Sequence, residues 1–254
     1  MFYLRLSVAI GGFLLASVYG VMIALVRRNP SLVARDYARA LVRFIRPPLG
    51  MKVEIIGEEN LRASRPCVYV ANHQSVFDVP VLAELYPEGT VVIGKKELRS
   101  IPFFGWLYVR TGNVLIDRSS NPAAVGRLRE AESAIRDRGV SVLIFPEGTR
   151  GSGDRGLLPF KKGAFYMAVA AQVPVVPIVV SRLAPLFHMR SRRIIPGTVQ
   201  VRVLEPIETT GLTDEDVPGL LEEVHAQMNA VFAELRSTAD TEVLGGAAEE
   251  LIPR

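Results

Sequence analysis

The sequence predicts an α/β fold: a mixed sheet flanked by helices, preceded by an N-terminal membrane-associating helical pair. Three observations carry this reading. From residue 51 onward, short β-rich runs alternate with helical patterns. Before them, Leu6–Val26 is a 21-residue stretch without a single charge. Between the two, Arg35, Arg39, Arg43 and Arg46 recur at spacings of 4, 4 and 3, which places them on one helical face.

As a helix, Leu6–Val26 would be roughly 32 Å long, about one hydrocarbon core. Arg5 precedes it and Arg27-Arg28 follow. A signal-peptide reading lacks a clear small-residue cleavage site. The basic excess after the segment would keep the remainder on the cytoplasmic side. Pro30 and Ser31 open the second helical pattern, with Leu32, Val33, Tyr37, Leu41, Phe44 and Ile45 beside the arginines. This fits an interfacial amphipathic helix, each arginine contributing about 1 kcal/mol near an anionic surface. A core helix with a solvated arginine face is the alternative. The first segment either spans the bilayer or dips into one leaflet; both stay open.

The strand candidates are Lys52–Ile56, Cys67–Ala71, Thr90–Ile93, Asn113–Ile116, Val140–Phe145, Val175–Val180 and Val199–Leu204. The helix candidates are Val76–Leu85, Pro122–Asp137, Lys162–Ala171 and Asp216–Leu235. The expected organisation is helical anchors over 1–49, an α/β domain over 50–236 and a weakly patterned, mobile tail over 237–254.

The net charge of +4 over 254 residues hides an asymmetry. Residues 1–49 carry seven arginines against Asp36 alone, and 157–204 carry seven basic residues and no acid. Residues 205–254 carry twelve acids against two arginines. The basic regions suit anionic partners such as lipid headgroups or phosphorylated groups, while the acidic end argues against nucleic acid. The lone Cys67 sits in an apolar strand pattern, so it excludes an internal disulfide and reads as a buried thiol. One cysteine and scattered histidines give no zinc-ligand pattern, so no metal site is expected.

Asn72-His73-Gln74-Ser75-Val76-Phe77-Asp78 follows a strand-like run. A histidine can take a proton from an alcohol, and a carboxylate on its other nitrogen can hold the tautomer. Five residues are about 500° of helix, so the two side chains meet only if the chain turns after His73. Ser75 is the candidate cap of a helix over Val76–Leu85. By itself this pair also fits a strand-end histidine beside an unrelated helix-start acid. A second block, Phe145-Pro146-Glu147-Gly148-Thr149-Arg150, also follows a strand, where α/β sheets bind ligands. Arg150 suits bidentate phosphate contact. A third, Gly112-Asn113-Val114-Leu115-Ile116-Asp117-Arg118, ends a strand in arginine. A fourth, Val173-Pro174-Val175-Val176-Pro177, reads as scaffolding.

In this order the four blocks resemble the phospholipid and glycerol acyltransferase family, over about Val53 to Leu204. His73 and Asp78 match its histidine–aspartate signature. Gly112 and Arg118 match the second family block, Glu147, Gly148 and Arg150 the third, and Pro177 the fourth. Gly94–Leu98, Ile101–Gly105 and Phe160–Gly163 also look like this family. The resemblance implies a glycerolphosphate-acyltransferase-like domain with His73 and Asp78 as catalytic residues. It further implies that Lys95, Gly112, Arg118, Glu147, Gly148, Thr149, Arg150 and Lys161 bind substrate. Glu147 would accept a hydrogen bond from the glycerol or pair with an arginine; both stay open. The implied reaction moves an acyl chain from acyl-CoA or acyl-carrier protein to the sn-2 hydroxyl of lysophosphatidic acid; the alternatives are the same chemistry on another lyso-lipid acceptor, or a non-catalytic peripheral membrane module. No cofactor is expected beyond the acyl donor. The implied partners are these substrates and membrane lipids, and the implied location is the inner or plasma membrane, facing the cytoplasm.

Gly151-Ser152-Gly153-Asp154-Arg155-Gly156 matches a dinucleotide fingerprint but lacks the following helix start and ribose-binding acid. It is expected to be a polar surface loop. His188 reads as a surface residue and His225 as exposed. Leu186-Phe187 reads equally as a second membrane contact or an ordinary loop.

Overall fold

The computed structural model describes residues 1–117, 121–154 and 156–249, with the backbone alone for 121–128 and 237–249. All seven expected strands form: β1 (Met51–Ile56), β2 (Val68–Ala71), β3 (Thr90–Lys95), β4 (Val114–Ile116), β5 (Ser141–Ile144), β6 (Val175–Val180) and, after a small hairpin of β7 (Phe187–His188) and β8 (Arg193–Ile194), β9 (Gly197–Val203). They make one sheet in the order β1-β9-β6-β2-β5-β3-β4. Every pair is parallel except β6–β9, the reversal that makes the sheet mixed.

The helices are α1 (Phe2–Val26), α2 (Pro30–Leu49), the single turn α3 (Asn60–Ala63), α4 (Asp78–Leu85), α5 (Phe104–Arg110), α6 (Asn121–Arg138), α7 (Gly163–Ala171) and α8 (Val217–Glu249). β2 is apolar throughout because both faces are covered. Tyr69 and Ala71 join a cluster with residues of α1, α2, α4 and α5; Val68 and Val70 join one with residues of α6, α7 and α8. α8 runs on past Leu235 to Glu249, through the stretch read as a tail. Alanine, glutamate and leucine there favour helix whether or not they are buried. α5 has no counterpart among the expected helices: at seven residues it is too short to show a helical period.

α1 and α2 form an antiparallel hairpin. Asn29 caps α2 by accepting from the Ser31 and Leu32 amides, and Pro30 sits where its missing N–H is harmless. Ala9, Gly12, Ala16, Gly20 and Ala24 make a buried small-residue stripe on α1. The stripe lets the backbones close in. Gly12 lies directly against the Phe44 carbonyl, and Gly20 against Tyr37 and Leu107. Arg5 donates to the Leu49 carbonyl at one end, and Arg27 pairs with Asp36 at 2.8 Å at the other. The arginine face of α2 is divided. Arg46 pairs with Glu84 and Arg35 with Glu88, fastening α2 to α4 and the residues after it, while Arg39 and Arg43 are exposed.

The β6–β9 reversal also places these helices. Val180 pairs with Val201, and Met51 with Gly197, so the start of β1 lies at the edge where β2 and β6 end. α2 runs directly into β1 through Gly50, whose φ of 65° makes the turn. The helical pair therefore reaches the edge that carries His73.

Candidate active site

β2 stops at Ala71, and the next residues are clamped to the neighbouring strand. Asn72 is fully buried and bonds Val180 twice, its amide donating to the carbonyl at 3.0 Å and its oxygen accepting the N–H at 2.7 Å. Gln74 donates to the carbonyls of Val180 and Ser181 and accepts the Leu183 amide. Between these clamps His73 turns outward. Its Nδ1 lies 2.6 Å from Oδ2 of Asp78, the first residue of α4. The same oxygen accepts the Gln74 and Ser75 amides at 2.8 and 2.9 Å. A carboxylate only accepts, so Nδ1 carries the hydrogen and Nε2 presents its lone pair. The Asp78 side chain is 0 % exposed and that of His73 21 %, which leaves the ring partly open to the surface. Its other face stacks on Phe145, with ring centres 4.2 Å apart.

The expected cap at Ser75 is replaced. Asp78 itself satisfies the loop amides, Ser75 Oγ accepts only the Phe77 amide, and α4 starts two residues later than expected. One carboxylate oxygen serves three donors, so the turn that creates the His–Asp contact and the contact itself form together.

The loop after β5 completes the edge. Gly148 has a φ of 68°, and a Cβ there would lie 2.7 Å from Lys161 Cε. This close approach brings Lys161 to the Pro146–Arg150 loop, and the Lys161 amide also donates to the Pro146 carbonyl. Thr149, Arg150, Lys161 and, at the end of β3, Lys95 are exposed. Glu147 is different: it is 4 % exposed. Its two oxygens accept main-chain amides, from His73 at 2.7 Å and Leu158 at 3.0 Å. Among the described residues no arginine pairs with it. It therefore holds the His73 backbone from below, rather than meeting a glycerol or an arginine as the sequence suggested. Burial pushes its carboxyl above the usual range, opposed by those two hydrogen bonds.

Gly112 is expected with the substrate ligands, but it lies at the opposite edge of the sheet. It follows α5 and precedes β4, with a φ of 85°, near Val91 at the start of β3 and Arg138 at the end of α6. Its matched spacing reflects a tight reversal that only glycine makes cheaply, not contact with ligand. Arg118 lies outside the described residues. Pro177 is buried opposite Val70, as scaffolding should be. Leu186 and Phe187 are buried, which removes them as membrane contacts. His188 bonds Ser191, and His225 lies half-buried, edge-on to Phe160, rather than exposed. In the glycine-rich loop Asp154 pairs with Arg182, two residues past the end of β6, and Leu157 bonds Asn229 of α8.

Asn72, Gln74 and the backbone role of Glu147 are absent from the site read off the sequence. Two amide side chains flanking a histidine at the end of an apolar strand were the available signal.

A strand-end imidazole, fixed by a buried carboxylate and bordered by exposed cations, is an arrangement able to take a proton from a hydroxyl of an anionic substrate, and it places the chain among α/β enzymes of that chemical type. Comparison with known proteins agrees. The Acyltransferase family model matches residues 52–181. The 1-acyl-sn-glycerol-3-phosphate acyltransferase of Escherichia coli is 36% identical over 247 residues, covering 96% of this chain and 99% of its own. The human 1-acyl-sn-glycerol-3-phosphate acyltransferase beta is 40% identical over 190 residues, 74% of this chain and 68% of its own. The crystal structure of the 1-acyl-sn-glycerophosphate (LPA) acyltransferase PlsC from Thermotoga maritima superposes with a TM-score of 0.72 at 28% identity. It covers 92% of this chain and 98% of that one. This chain belongs to the acyltransferase family and is an enzyme of it.

Proposed function

We propose that this enzyme acylates the sn-2 hydroxyl of lysophosphatidic acid, giving phosphatidic acid for phospholipid biosynthesis. The observation that carries the reading is the His73–Asp78 contact at 2.6 Å with Nε2 left free. His73 Nε2 takes the hydroxyl proton as the oxygen attacks the thioester carbonyl. Asp78 holds the imidazolium that forms. The tetrahedral intermediate then collapses, the C–S bond breaks, and His73 returns the proton to the departing thiolate. Acyl-CoA or acyl-carrier protein supplies the thioester, so neither an acyl-enzyme nor a cofactor is required. General base catalysis of this kind contributes about 10²–10⁴-fold, and holding acceptor and thioester together contributes more. Arg150, Lys95 and Lys161 are assigned to the acceptor phosphate, with Arg118 added by its sequence match alone, and Thr149 beside Arg150 is kept as a substrate contact. The relatives named for 1-acylglycerol-3-phosphate support this choice of acceptor.

α1 is long and apolar enough to cross a membrane. It is nevertheless packed along α2 from Arg5 to Arg27, and α2 is fastened to the catalytic domain. A crossing would carry Arg39 and Arg43 into the bilayer, at about 3 kcal/mol each at its centre. We therefore assign α1 to one leaflet, lying along the cytoplasmic face of the membrane.

The test is thiol release from acyl-CoA with defined acceptors, for wild type and His73→Ala. Lysophosphatidic acid should be preferred over a phosphate-free lyso-lipid, and His73→Ala should be silent. Equal turnover on the phosphate-free acceptor would remove the cationic residues from the proposed role.

A further inference from the structure

Phe103 combines two features that a protein in water has reason to avoid. Its φ is 61°, a region in which a bulky L-residue is strained. Its ring is also 52% exposed. The strain is built in. The Phe104 amide donates to the Pro102 carbonyl at 2.6 Å and the Gly105 amide to the Ile101 carbonyl at 2.8 Å. Gly105 lies so close to the Arg99 carbonyl that no side chain fits there. The turn sends Phe104 inward, against Phe13 and Tyr108, and Phe103 outward.

Two more apolar side chains follow on the same side. Trp106 is 49% and Val109 45% exposed, so the outer face of α5 carries Trp106 and Val109, with Phe103 just before its first residue. The inner face packs on α1, through Phe13 against Phe104 and Gly20 against Leu107. α1 itself exposes Leu14, Leu15 and Val18. The segment leaves β3 just after Lys95, on the edge that carries His73, with Arg99 exposed beside it.

We propose that the Phe103–Trp106–Val109 face is a second membrane contact, inserted in the same leaflet as α1. This rests on the membrane reading of α1 above. Burial in lipid returns what the strained backbone and the exposed rings cost in water, and an interfacial tryptophan with a neighbouring arginine suits the headgroup boundary. One helix lying in a leaflet leaves rotation about its own axis free. A second contact beside it fixes that rotation and turns the His73 edge toward the bilayer, so that a lipid acceptor enters from the leaflet.

Trp106 is the sole tryptophan, so the full-length protein reports on this face directly. On phosphatidylcholine–phosphatidylglycerol vesicles its emission should move to shorter wavelength and be quenched by lipids brominated on the acyl chain. Unchanged, unquenched emission from protein that sediments with the vesicles overturns this inference and leaves the α1 reading standing. Protein that stays in the supernatant overturns both. A concentration-dependent blue shift without lipid means that a second copy covers the face, and also overturns it. Phe103→Gly relieves the strained φ, so its melting temperature in detergent should not fall, while vesicle affinity should drop about tenfold or more. A lower melting temperature with unchanged vesicle affinity would make Phe103 a packing residue and end the proposal.

Discussion

Between Asn72 and Asp78 the chain buries polar groups and gives nearly all of them partners, Asp78 Oδ1 being the exception; along α1 it leaves a run of apolar groups exposed. Asp78 is fully buried with three donors on one oxygen, and Asn72 with two bonds to one residue. α1 leaves eleven large apolar or aromatic side chains exposed, from Tyr3 to Val26. A buried hydrogen bond gains strength from a low dielectric and fixes geometry. An exposed apolar patch of that extent gains only if something other than water covers it. The first region is therefore satisfied within the protein except at Asp78 Oδ1, whereas the second is an apolar surface that lipid covers under the proposed function. The proposed function sets them side by side, because in it the base acts on a hydroxyl carried by a lipid.

The largest effect that tests this contrast is chemical. His73→Ala should lower kcat by about 10²–10⁴-fold, and it should lower the melting temperature only modestly, since Asp78 keeps its two main-chain donors. Asp78→Asn should lower kcat on the same scale, because a neutral amide oxygen holds the imidazolium less well than a carboxylate, and also destabilise, because its NH2 takes the buried place of Oδ1, which has no partner; kinetics and melting curves separate the two effects. A Asp78→Asn enzyme with normal kcat would break the comparison at its polar end. Next comes Asn72→Ala, which strands the buried Val180 amide and should cost about 1–3 kcal/mol in denaturant unfolding. At the apolar end, serine at Leu4, Val8 and Leu15 together should abolish sedimentation with vesicles while acyl transfer to detergent-dispersed acceptor continues. Retained sedimentation would place the anchor elsewhere.

The smallest effect is a pH dependence. The Glu147 carboxyl titrates above its unfolded value because it is buried. Its contribution to stability is therefore greatest below the ordinary glutamate pKa and is lost as pH rises through the raised folded one. Wild type should gain melting temperature relative to Glu147→Gln as pH falls through that window. A constant difference between the two would mean that the carboxyl titrates normally.

The sequence alone determined the seven strands and the main helices, and it offered the meeting of His73 with Asp78 on the condition that the chain turns after His73. Each rests on near neighbours: the period of apolar residues, or a turn of five residues closed by its own carboxylate. It also determined the apolar length of α1 and the start of α2 at Pro30, for the same reason. Only the tertiary structure decided what holds the histidine in place. Glu147 reaches the His73 backbone across 74 residues, and Asn72 reaches Val180 across 108. It moved Gly112 to the far edge of the sheet, divided the arginines of α2 between internal pairs and surface, and turned Phe103 outward. Those outcomes depend on which segments the sheet order brings together, and a local pattern of residue types carries no information about partners that far along the chain.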